Sequence, residues 1–455
     1  MSRFPAIASG KETTFGELVS TVSTNNKKVQ KREYLECGRF PVVDQGQQFI
    51  GGYCNDESKV ISEDLPLLVF GDHTRTFKYL DQPFVPGADG VKVLKPLGVS
   101  AKWLYHIAHA LDFPDKGYAR HFQHLKNAKL RVPPLPDQRR IVEEIEKQFS
   151  HLEVGVAALR RVQANLKRYR AAVLKAACEG RLVPTEAELA AQGRASVAGG
   201  RMPGATANHY ETGEQLLARI LADRRKNWHG RGKYKEPAAP DTADLPPLPE
   251  GWVWASPSQL SSADAYALAI GPFGSNLKVS DYTDAGVPLV FVRNIRSGQF
   301  GGERTVFVSA SKANELRAHH VSAGEILVTK MGEPPGEACL YPDSATDAVI
   351  TADCIKLRLT PNLLQKRFFV HAINSDVVKP QIQLITKGVA QMKISLGRFS
   401  SLAIPMPPLS EQTRIVDEVE RRLSVIEKLE ATVAANLQRA ARLRQSILQR
   451  AFFPY

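Results

Sequence analysis

Short clusters of basic and amide side chains recur along the chain in stretches that read as loops. They are NNKK at 25–28, KR at 31–32, GDHTRTFKY at 71–79, GPFGSNLK at 271–278, VRNIR at 292–296 and KGVAQMK at 387–393. Arginine, lysine, asparagine and glutamine can pair with base edges or hold phosphates. The clusters therefore indicate contacts with nucleic acid, and the alternative for any single cluster is an ordinary solvated loop.

The candidate DNA-contacting residues form one group in each half of the chain. The first group is Lys27, Lys28, Arg32, His73, Thr74, Arg75, Lys78 and Arg120. The second group is Ser275, Asn276, Lys278, Arg293, Asn294, Arg296, Lys330, Lys387, Gln391 and Lys393. These residues recur at matched places in the two halves, which favours the same function, contact with nucleic acid, for both groups.

No recognisable catalytic motif accompanies these clusters. Gly10-Lys11 is followed by Glu12 and lacks the earlier glycine of a phosphate-binding loop. The stretch EPPG at 333–336 departs at both ends from the Asn/Asp-Pro-Pro-aromatic motif of amino-methyltransferases. Histidines at 106/109 and 121/124 have the spacing of metal ligands, but no clustered cysteine or carboxylate completes a zinc set. The sequence predicts no catalytic residue and no metal site. It therefore favours a binding or scaffold role.

Composition limits the class of protein. The chain has 455 residues, more than one ordinary core holds, and a net charge of +13 that points to a polyanionic partner. No apolar run is long enough to cross a bilayer, and the amino terminus has no apolar core of a secretory signal. Five cysteines without a C-x-x-C pair favour a reducing compartment and buried, unpaired thiols.

One stretch of sequence occurs twice. PPLPDQRRIVEEIE at 133–146 returns as PPLSEQTRIVDEVE at 407–420, and residues 133–180 align with 407–454 without a gap at an offset of 407 − 133 = 274, with sixteen identities in forty-eight. A repeat of this length indicates a duplicated structural unit. The Pro-Pro pair precedes a helix whose first turn holds an acidic residue, Asp137 or Glu411, where the helix dipole favours an anion.

Each copy of the repeat predicts a long helix with a coiled-coil seam. Apolar residues alternate in steps of four and three from Ile145 to Ala177 and again from Val419 to Ala451. Gln163, Arg170, Glu430 and Arg444 interrupt the seam and could set its register. Forty residues of helix give a rod of roughly 60 Å. The alternative is two independent amphipathic helices, each packed on its own domain.

The rest of the chain predicts two related globules and a linker. Strands are expected at 40–45, 65–72, 91–97, 287–295, 325–332 and 354–360. The predicted segments are a first globule at 1–132, a helix at 133–183, a linker at 184–246, a second globule at 247–406 and a second helix at 407–455. The linker contains a short amphipathic helix with Leu216, Leu217, Ile220 and Leu221 on one face, which could dock on the chain itself or on a partner.

The order of these motifs resembles one known family. PPL-x-x-Q-x-x-IV-x-x-[IV]E followed by a long helix, written twice, is similar to the specificity subunit of type I restriction–modification systems. So are FGDHTRTFKYLDQPFVPGADGVKVLKP at 70–96, GPFGSNLK with DYTDAGVPLVFVRNI at 281–295, and YKEPAAPDTADLPPLPEGW at 234–252. The first globule lacks counterparts of LPEGW and GPFGS, so its contact residues are placed less directly.

The resemblance implies an α+β fold with two mixed α/β target-recognition domains joined by two long antiparallel coiled-coil helices with pseudo-twofold symmetry. It implies that each domain reads one half of an asymmetric, bipartite site in double-stranded DNA. It further implies docking of two adenine-methyltransferase subunits, which bind S-adenosylmethionine, and of two restriction subunits, in the bacterial cytoplasm. The chain itself would have no cofactor and no catalysis. A coiled-coil scaffold without DNA readout and a self-sufficient enzyme remain the alternatives.

Overall fold

The computed structural model describes residues 10–88, 90–111, 121–194, 210–229, 232–302, 305–388 and 392–453. The chain divides into two compact units, each with its own sheets and its own core. Unit 1 is Met1–Gln163 together with Ala431–Tyr455, and unit 2 is Ala164–Glu430. Each of the two long helices therefore contributes residues to both units.

Unit 1 is built around short strands. They are β1 (Lys11–Thr14), β2 (Val19–Thr21), β3 (Phe40–Val43), β4 (Gly52–Cys54), β5 (Leu67–Gly71), β6 (Phe77–Leu80), β7 (Val85–Pro86), β8 (Val91–Pro96) and β9 (Lys129–Val132). One antiparallel sheet has the order β2-β8-β5-β6, a second has the order β4-β3-β7 with β3 and β7 parallel, and β1 pairs with β9.

Two helices cover the first sheet of unit 1, α1 (Ala101–Ala110) and α2 (Phe122–Lys126). The Ser100 hydroxyl caps α1 by accepting the Trp103 N–H. Strand β5 is buried at every residue, so its apolar run lies between the covering helix and the rest of the core. Trp103, Phe70 and Phe15 are fully buried there.

Unit 2 repeats this plan with additional elements. Its helices are α4 (Glu186–Ala191), α5 (Gly213–Lys226), α6 (Pro257–Leu260), α7 (Ala310–Glu315), α8 (Lys366–Ile373), α9 (Lys379–Ile385) and α10 (Leu396–Ser400). Its strands are β10 (Val253–Ala255), β11 (Leu268–Ile270), β12 (Tyr282–Thr283), β13 (Val287–Val290), β14 (Ile295–Arg296), β15 (Gln299–Phe300), β16 (Val306–Val308), β17 (His320–Val321), β18 (Ile326–Thr329), β19 (Ala338–Leu340), β20 (Ala348–Ile350), β21 (Cys354–Leu357) and β22 (Ile404–Met406).

Two sheets of unit 2 match sheets of unit 1 strand for strand, and a third contains the strands of its counterpart together with additional ones. The order β11-β21-β18-β19 corresponds to β2-β8-β5-β6, and β10-β22 corresponds to β1-β9. In the second sheet, β13 pairs antiparallel with β16 and parallel with β20, as β3 does with β4 and β7. The repeat therefore extends through the globular parts of the chain.

All six predicted strands exist, with shorter ends. The observed spans are β3, β5, β8, β13, β18 and β21, and each lies inside its predicted range because the flanking residues turn away from the ladder. The prediction of uniformly buried thiols is wrong at one position. All five cysteines are free, but Cys37 is exposed while the other four are buried.

The two repeated segments form helices of equal length, α3 (Leu135–Cys178) and α11 (Leu409–Phe452), of 44 residues each. Within unit 1 the end of α11 packs on the start of α3, and Arg444 pairs with Glu153 at 3.3 Å. Within unit 2 the start of α11 packs on the end of α3, and Arg170 pairs with Glu430 at 3.1 Å. The helices are thus antiparallel in both units, and three of the four polar interruptions, Arg170, Glu430 and Arg444, take part in cross-helix ion pairs.

The repeated glutamine of the PPL-x-x-Q motif makes the same two contacts in both units. The side-chain amides of Gln138 and Gln412 donate to the carbonyl of the first proline of their copies, at 2.8 and 2.9 Å. Their side-chain oxygens accept the backbone N–H groups of Ser100 and Gln365, the residues that precede α1 and α8. Each glutamine therefore joins a long helix to the helix that covers the sheet.

A second repeated residue strengthens this joint. Glu146 pairs with Lys102 on α1 at 2.8 Å, and its counterpart Glu420 pairs with Arg367 on α8 at 2.6 Å. The joints of the two units therefore share a pattern of buried amide and surface ion pair, which accounts for several of the identities in the repeat.

The short amphipathic helix predicted in the linker docks on the chain itself. It is α5, and its Leu216, Leu217 and Ile220 are buried in the main core of unit 2. The low-complexity stretch predicted as a flexible linker falls largely at 195–209, outside the described residues.

Candidate nucleic-acid interface

Unit 1 carries a concave groove of about 470 Å³ beside the end of β3. Gln30, Lys31 and Arg32, on a 3-10 turn, form one wall, and Tyr34, Asp44 and Gln45 form the other. The Tyr34 hydroxyl bonds to the Asp44 carboxylate, and burial together with that negative charge raises the pKa of Tyr34 to about 12. The predicted contact residue Arg32 is exposed at the rim of the groove.

Lys78 is a predicted contact residue that the fold buries. Its side chain is 3% exposed, and its ammonium donates to the carbonyls of Asp44 and Gln48 at 2.8 and 2.5 Å. Burial lowers the pKa of Lys78, while the Asp44 carboxylate, 3.6 Å away, opposes that shift. Lys78 therefore stabilises the loop after β3, and DNA contact by its side chain stays a prediction.

The turn at 72–76 holds three more predicted residues, all half-buried. The Thr74 hydroxyl donates to the Gln45 carbonyl at 2.6 Å, so it ties the turn to the groove wall. Arg75 sits in the left-handed backbone region at φ +59°. His73 lies against Gly90, where an added methyl group would come within 2.8 Å of its ring. Thr74 thus has a structural role in the turn, and DNA contact by His73, Thr74 and Arg75 stays a prediction.

The two adjacent lysines of unit 1 differ in their surroundings. Lys27 is half-buried and donates to the Val60 carbonyl at 2.8 Å. Lys28 is exposed. Of the two, only Lys28 presents its charge fully to solvent.

Unit 2 carries a larger groove of about 940 Å³ at the corresponding end of β13. Its lining includes Tyr282, Asp284, Phe291, Arg293 and Arg296. The guanidinium of Arg293 lies 4.0 Å above the centre of the Phe291 ring, and that ring meets Tyr282 edge-on at 6.1 Å. Both predicted arginines are exposed, so this groove combines oriented cationic donors with an acidic acceptor.

Asn294 is a second predicted contact residue that the fold buries. It is 8% exposed, and its side chain accepts the Phe291 N–H at 2.9 Å and donates to the Gly301 carbonyl at 3.1 Å. An added methyl group on Gly302 would lie 2.7 Å from the Asn294 amide nitrogen. Asn294 therefore holds the segment between β13 and β16 through buried hydrogen bonds, and DNA contact by its side chain stays a prediction.

Loops of unit 2 bring together three of its predicted lysines. Lys330 follows β18, donates to the Ala352 carbonyl at 2.9 Å and stands 5.9 Å over the ring of Phe273, which is 67% exposed. Lys387 and Lys393 exchange backbone hydrogen bonds, and Ile394 donates to the Lys330 carbonyl. The structure thus gathers an exposed phenylalanine and three lysines on one surface.

The other predicted residues of unit 2 lie on the loop that follows β11. Ser275, Asn276 and Lys278 are exposed, and the Lys278 backbone N–H bonds to Asp281 at 2.8 Å. Arg120 and Gln391 fall outside the described residues.

Sequence reasoning missed the aromatic and acidic walls of both grooves. Tyr34 and Tyr282 belong to a Tyr-x-x-x-Gly pattern that occurs in both halves of the sequence. Their contribution to the grooves depends on the residues they contact, Asp44 and Phe291. These two residues follow equivalent strands but have chemically different side chains. Only the strand register brings each tyrosine to its partner. A search restricted to basic residues could not find these walls.

Among the described residues, no helix combines the length and apolar character needed to cross a bilayer. The same part of the chain brings together no group of three histidine, cysteine or acidic side chains that could hold a metal ion. His106 and His109 lie on the buried side of α1, where burial lowers the pKa of each to about 4. Desolvated histidines of this kind belong to the core of unit 1.

Comparisons with known proteins bear on the class of this chain. Residues 311–438 match the type I restriction modification DNA specificity domain. The chain is 26% identical over 206 residues to the EcoKI specificity subunit of Escherichia coli K12, covering 44% of this chain and 42% of that one. It is 22% identical over 330 residues to the EcoBI specificity subunit of Escherichia coli, covering 72% and 58%. The chain thus spans about half the length of these curated relatives.

A solved structure described as showing complex assembly and conformational transition of the type I restriction–modification system shares this fold. Its TM-score is 0.58 at 17% identity, covering 99% of this chain and 98% of that one.

The matched domain and the relatives both belong to the class of DNA-specificity proteins. Residues 311–438 thus match a specificity domain of the type I restriction–modification kind, and the chain is similar to specificity subunits of that kind, so the resemblance seen in its sequence is confirmed.

Proposed function

We propose that this chain reads a bipartite, asymmetric site in double-stranded DNA, one half through each unit. The observation that carries this proposal is the pair of grooves at the ends of β3 and β13. They arise from the same strand plan, yet different side chains line them. Two grooves with the same framework and different lining residues suit two half-sites of different sequence. The net charge of +13 favours binding to a polyanion such as DNA.

The two long helices would position two copies of an adenine-methyltransferase subunit. Support comes from repeated residues that the fold does not use. Arg168 and its counterpart Arg442 are both exposed, and neither forms an ion pair within the described residues. A side chain that is repeated, exposed and unused inside the chain fits a contact with each of two identical partners.

In this proposal the methyltransferase subunits bind S-adenosylmethionine and carry out the chemistry, and two restriction subunits join the complex in the bacterial cytoplasm. The chain itself contributes recognition only. Purified chain incubated with labelled S-adenosylmethionine and DNA should transfer no label, whereas label transfer by the chain alone would favour a self-sufficient enzyme.

Mapping of methyladenine in the DNA of cells that carry this chain and its methyltransferase partner tests the reading function. The expected result is methylation within one two-part motif that disappears when this chain is deleted. Methylation that persists unchanged without the chain would contradict the proposal and favour a scaffold that does not read DNA.

A further inference from the structure

The grooves of the two units are built from equivalent residues, which allows their linings to be compared position by position. The parallel pairing of Val43 with Pro86 in unit 1 corresponds to that of Val290 with Ile350 in unit 2. The residue after each partner strand donates back to β3 or β13 at 2.9 Å in both units. Val43 and Val290 therefore occupy the same place in the two folds.

The opposite walls of the grooves are equivalent as well. The 3-10 turns at 31–33 and 279–281 both begin with a backbone N–H bonded to the acidic residue three positions later, at 2.9 and 2.8 Å. Both turns end on a tyrosine, Tyr34 or Tyr282, that faces the groove. Because both walls are equivalent, the first residues after β3 can be aligned one by one with the first residues after β13.

In that register the positions that face the groove differ in chemistry. The first position after the strand is Asp44 in unit 1 and Phe291 in unit 2. Two positions further on, unit 1 has Gly46 and unit 2 has Arg293. The backbone framework is the same in both units, but unit 1 has a carboxylate where unit 2 has an aromatic ring, and a glycine where unit 2 has a guanidinium.

From this we infer that Arg293 is a specificity-determining residue that reads a guanine in the half-site of unit 2. The inference rests on the proposed function and deepens it. Arginine pairs bidentately with the O6 and N7 acceptors of guanine, and this requires a fixed guanidinium plane. The Phe291 ring, 4.0 Å beneath the guanidinium and itself held edge-on by Tyr282, provides such a plane.

Unit 1 has no such donor at the equivalent position, because Gly46 has no side chain. Its groove presents the Asp44 carboxylate, which the buried Lys78 and the Tyr34 hydroxyl already engage. The base preference carried by Arg293 is therefore confined to one half of the site. Loss of a base-specific contact at Arg293 should therefore change one half of the site, whereas a general loss of positive charge should weaken binding to all sequences.

The test selects DNA from a library of random duplexes with the purified full-length chain and its Arg293→Ala, Arg293→Lys and Arg317→Ala variants. Arg317 is exposed in unit 2 on the turn at 317–319 and outside the groove, so it controls for the loss of one positive charge. Circular dichroism checks that each variant is folded.

The wild type should enrich a two-part consensus that contains a guanine whose preference falls about tenfold to hundredfold in Arg293→Ala. Arg293→Lys should lose most of the same preference, since it lacks the planar fork. The other half of the consensus should not change, and Arg317→Ala should keep every preference.

Two outcomes overturn the inference in different ways. If the wild type enriches a consensus but Arg293→Ala weakens binding to all sequences equally, the arginine contacts phosphate and only this inference fails. If the wild type enriches no consensus, the proposed reading of DNA fails and the inference fails with it.

Discussion

Unit 1 and unit 2 attach their sheets to the long helices through the same side chains, whereas their grooves share a framework and differ in lining. Gln138 and Gln412 make matched pairs of hydrogen bonds, and Glu146 and Glu420 make matched ion pairs. In the grooves, by contrast, Asp44 stands where unit 2 has Phe291. Repeated residues build the joint, and the residues that differ are where recognition should be sought.

The largest expected effect comes from the glutamines of the joints. Gln138→Leu and Gln412→Leu should each lower the free energy of unfolding of their unit by about 2–4 kcal/mol, because a buried N–H and a buried carbonyl lose their partner. Hydrogen exchange at the start of α1 and α8 measures the two units separately. The matched control is Gln163→Leu, since Gln163 is exposed on the same helix as Gln138.

Because the two joints share their geometry, these two substitutions should cost equal amounts of stability. A loss in one unit that exceeds the other by several kcal/mol would show that the joints are alike in geometry and unlike in energy.

The second expected effect distinguishes the joints. Glu411 is fully buried, accepts the Glu186 N–H and the Trp252 indole N–H at 3.0 Å each, and burial raises its pKa from 4.5 to about 7. The folded chain then holds a proton that the unfolded chain releases between pH 4.5 and 7, so stability falls as pH rises through this window, by about 3 kcal/mol at most.

Glu411→Gln should flatten this slope, which urea unfolding at several pH values measures. Asp137 is the equivalent residue of unit 1, and it is only half-buried and pairs with Arg140 at 3.5 Å. Asp137→Asn is therefore the matched variant, and its stability should follow the pH as the wild type does. A wild-type stability that rises from pH 5 to pH 7 would contradict the predicted direction.

A third, smaller effect separates the groove surface from the long helices. Lys28→Glu should weaken binding of a duplex that carries the site by about tenfold, or roughly 1.4 kcal/mol, because a cation near the phosphates becomes an anion. Lys175→Glu on α3 should leave binding within about twofold, since Lys175 lies far along the chain from either groove-forming loop and already faces Glu179 at 3.9 Å.

Gel-shift titration at fixed salt measures both lysine variants. Equal losses at Lys28 and Lys175 would contradict a DNA-contacting surface at Lys28.

The smallest effect is expected at the cross-helix ion pairs. Arg444→Met removes the pair with Glu153, and Arg170→Met removes the pairs with Glu427 and Glu430 at 4.0 and 3.1 Å. These side chains are partly exposed, so each substitution should cost no more than about 1 kcal/mol in thermal or urea unfolding. A far larger loss at Arg444 would assign the excess to its contact with the Phe149 ring at 4.2 Å.

The repeated parts of the fold were predicted best from the sequence, because the same apolar and polar pattern occurs in two copies that can be compared. The offset of 274 located both long helices and their polar interruptions, and the alternating apolar runs located strands β3, β5, β8, β13, β18 and β21. Composition could not reveal that residues 431–455 belong to the same unit as the first part of the chain. That assignment depends on long-range packing.

The candidate site was harder to predict, since residue type does not report burial. Lys78 and Asn294 have the side chains of DNA-contacting residues, yet the fold uses them to hold loops. Conversely, Phe291 has no polar group and was passed over, although it positions Arg293. Strand register decides between these roles, and a single sequence does not show register.

The packing of the second long helix affects the order in which the chain can fold. Ile447, Leu448, Ala451 and Phe452 belong to the core of unit 1, and the Phe452 ring meets Trp103 edge-on at 6.0 Å. A ribosome makes Trp103 early and Phe452 only after all of unit 2. Unit 1 therefore remains incomplete during most of synthesis, with the surface around Trp103 uncovered. A truncation that removes the end of α11 would expose the core of unit 1, which the first part of the sequence builds.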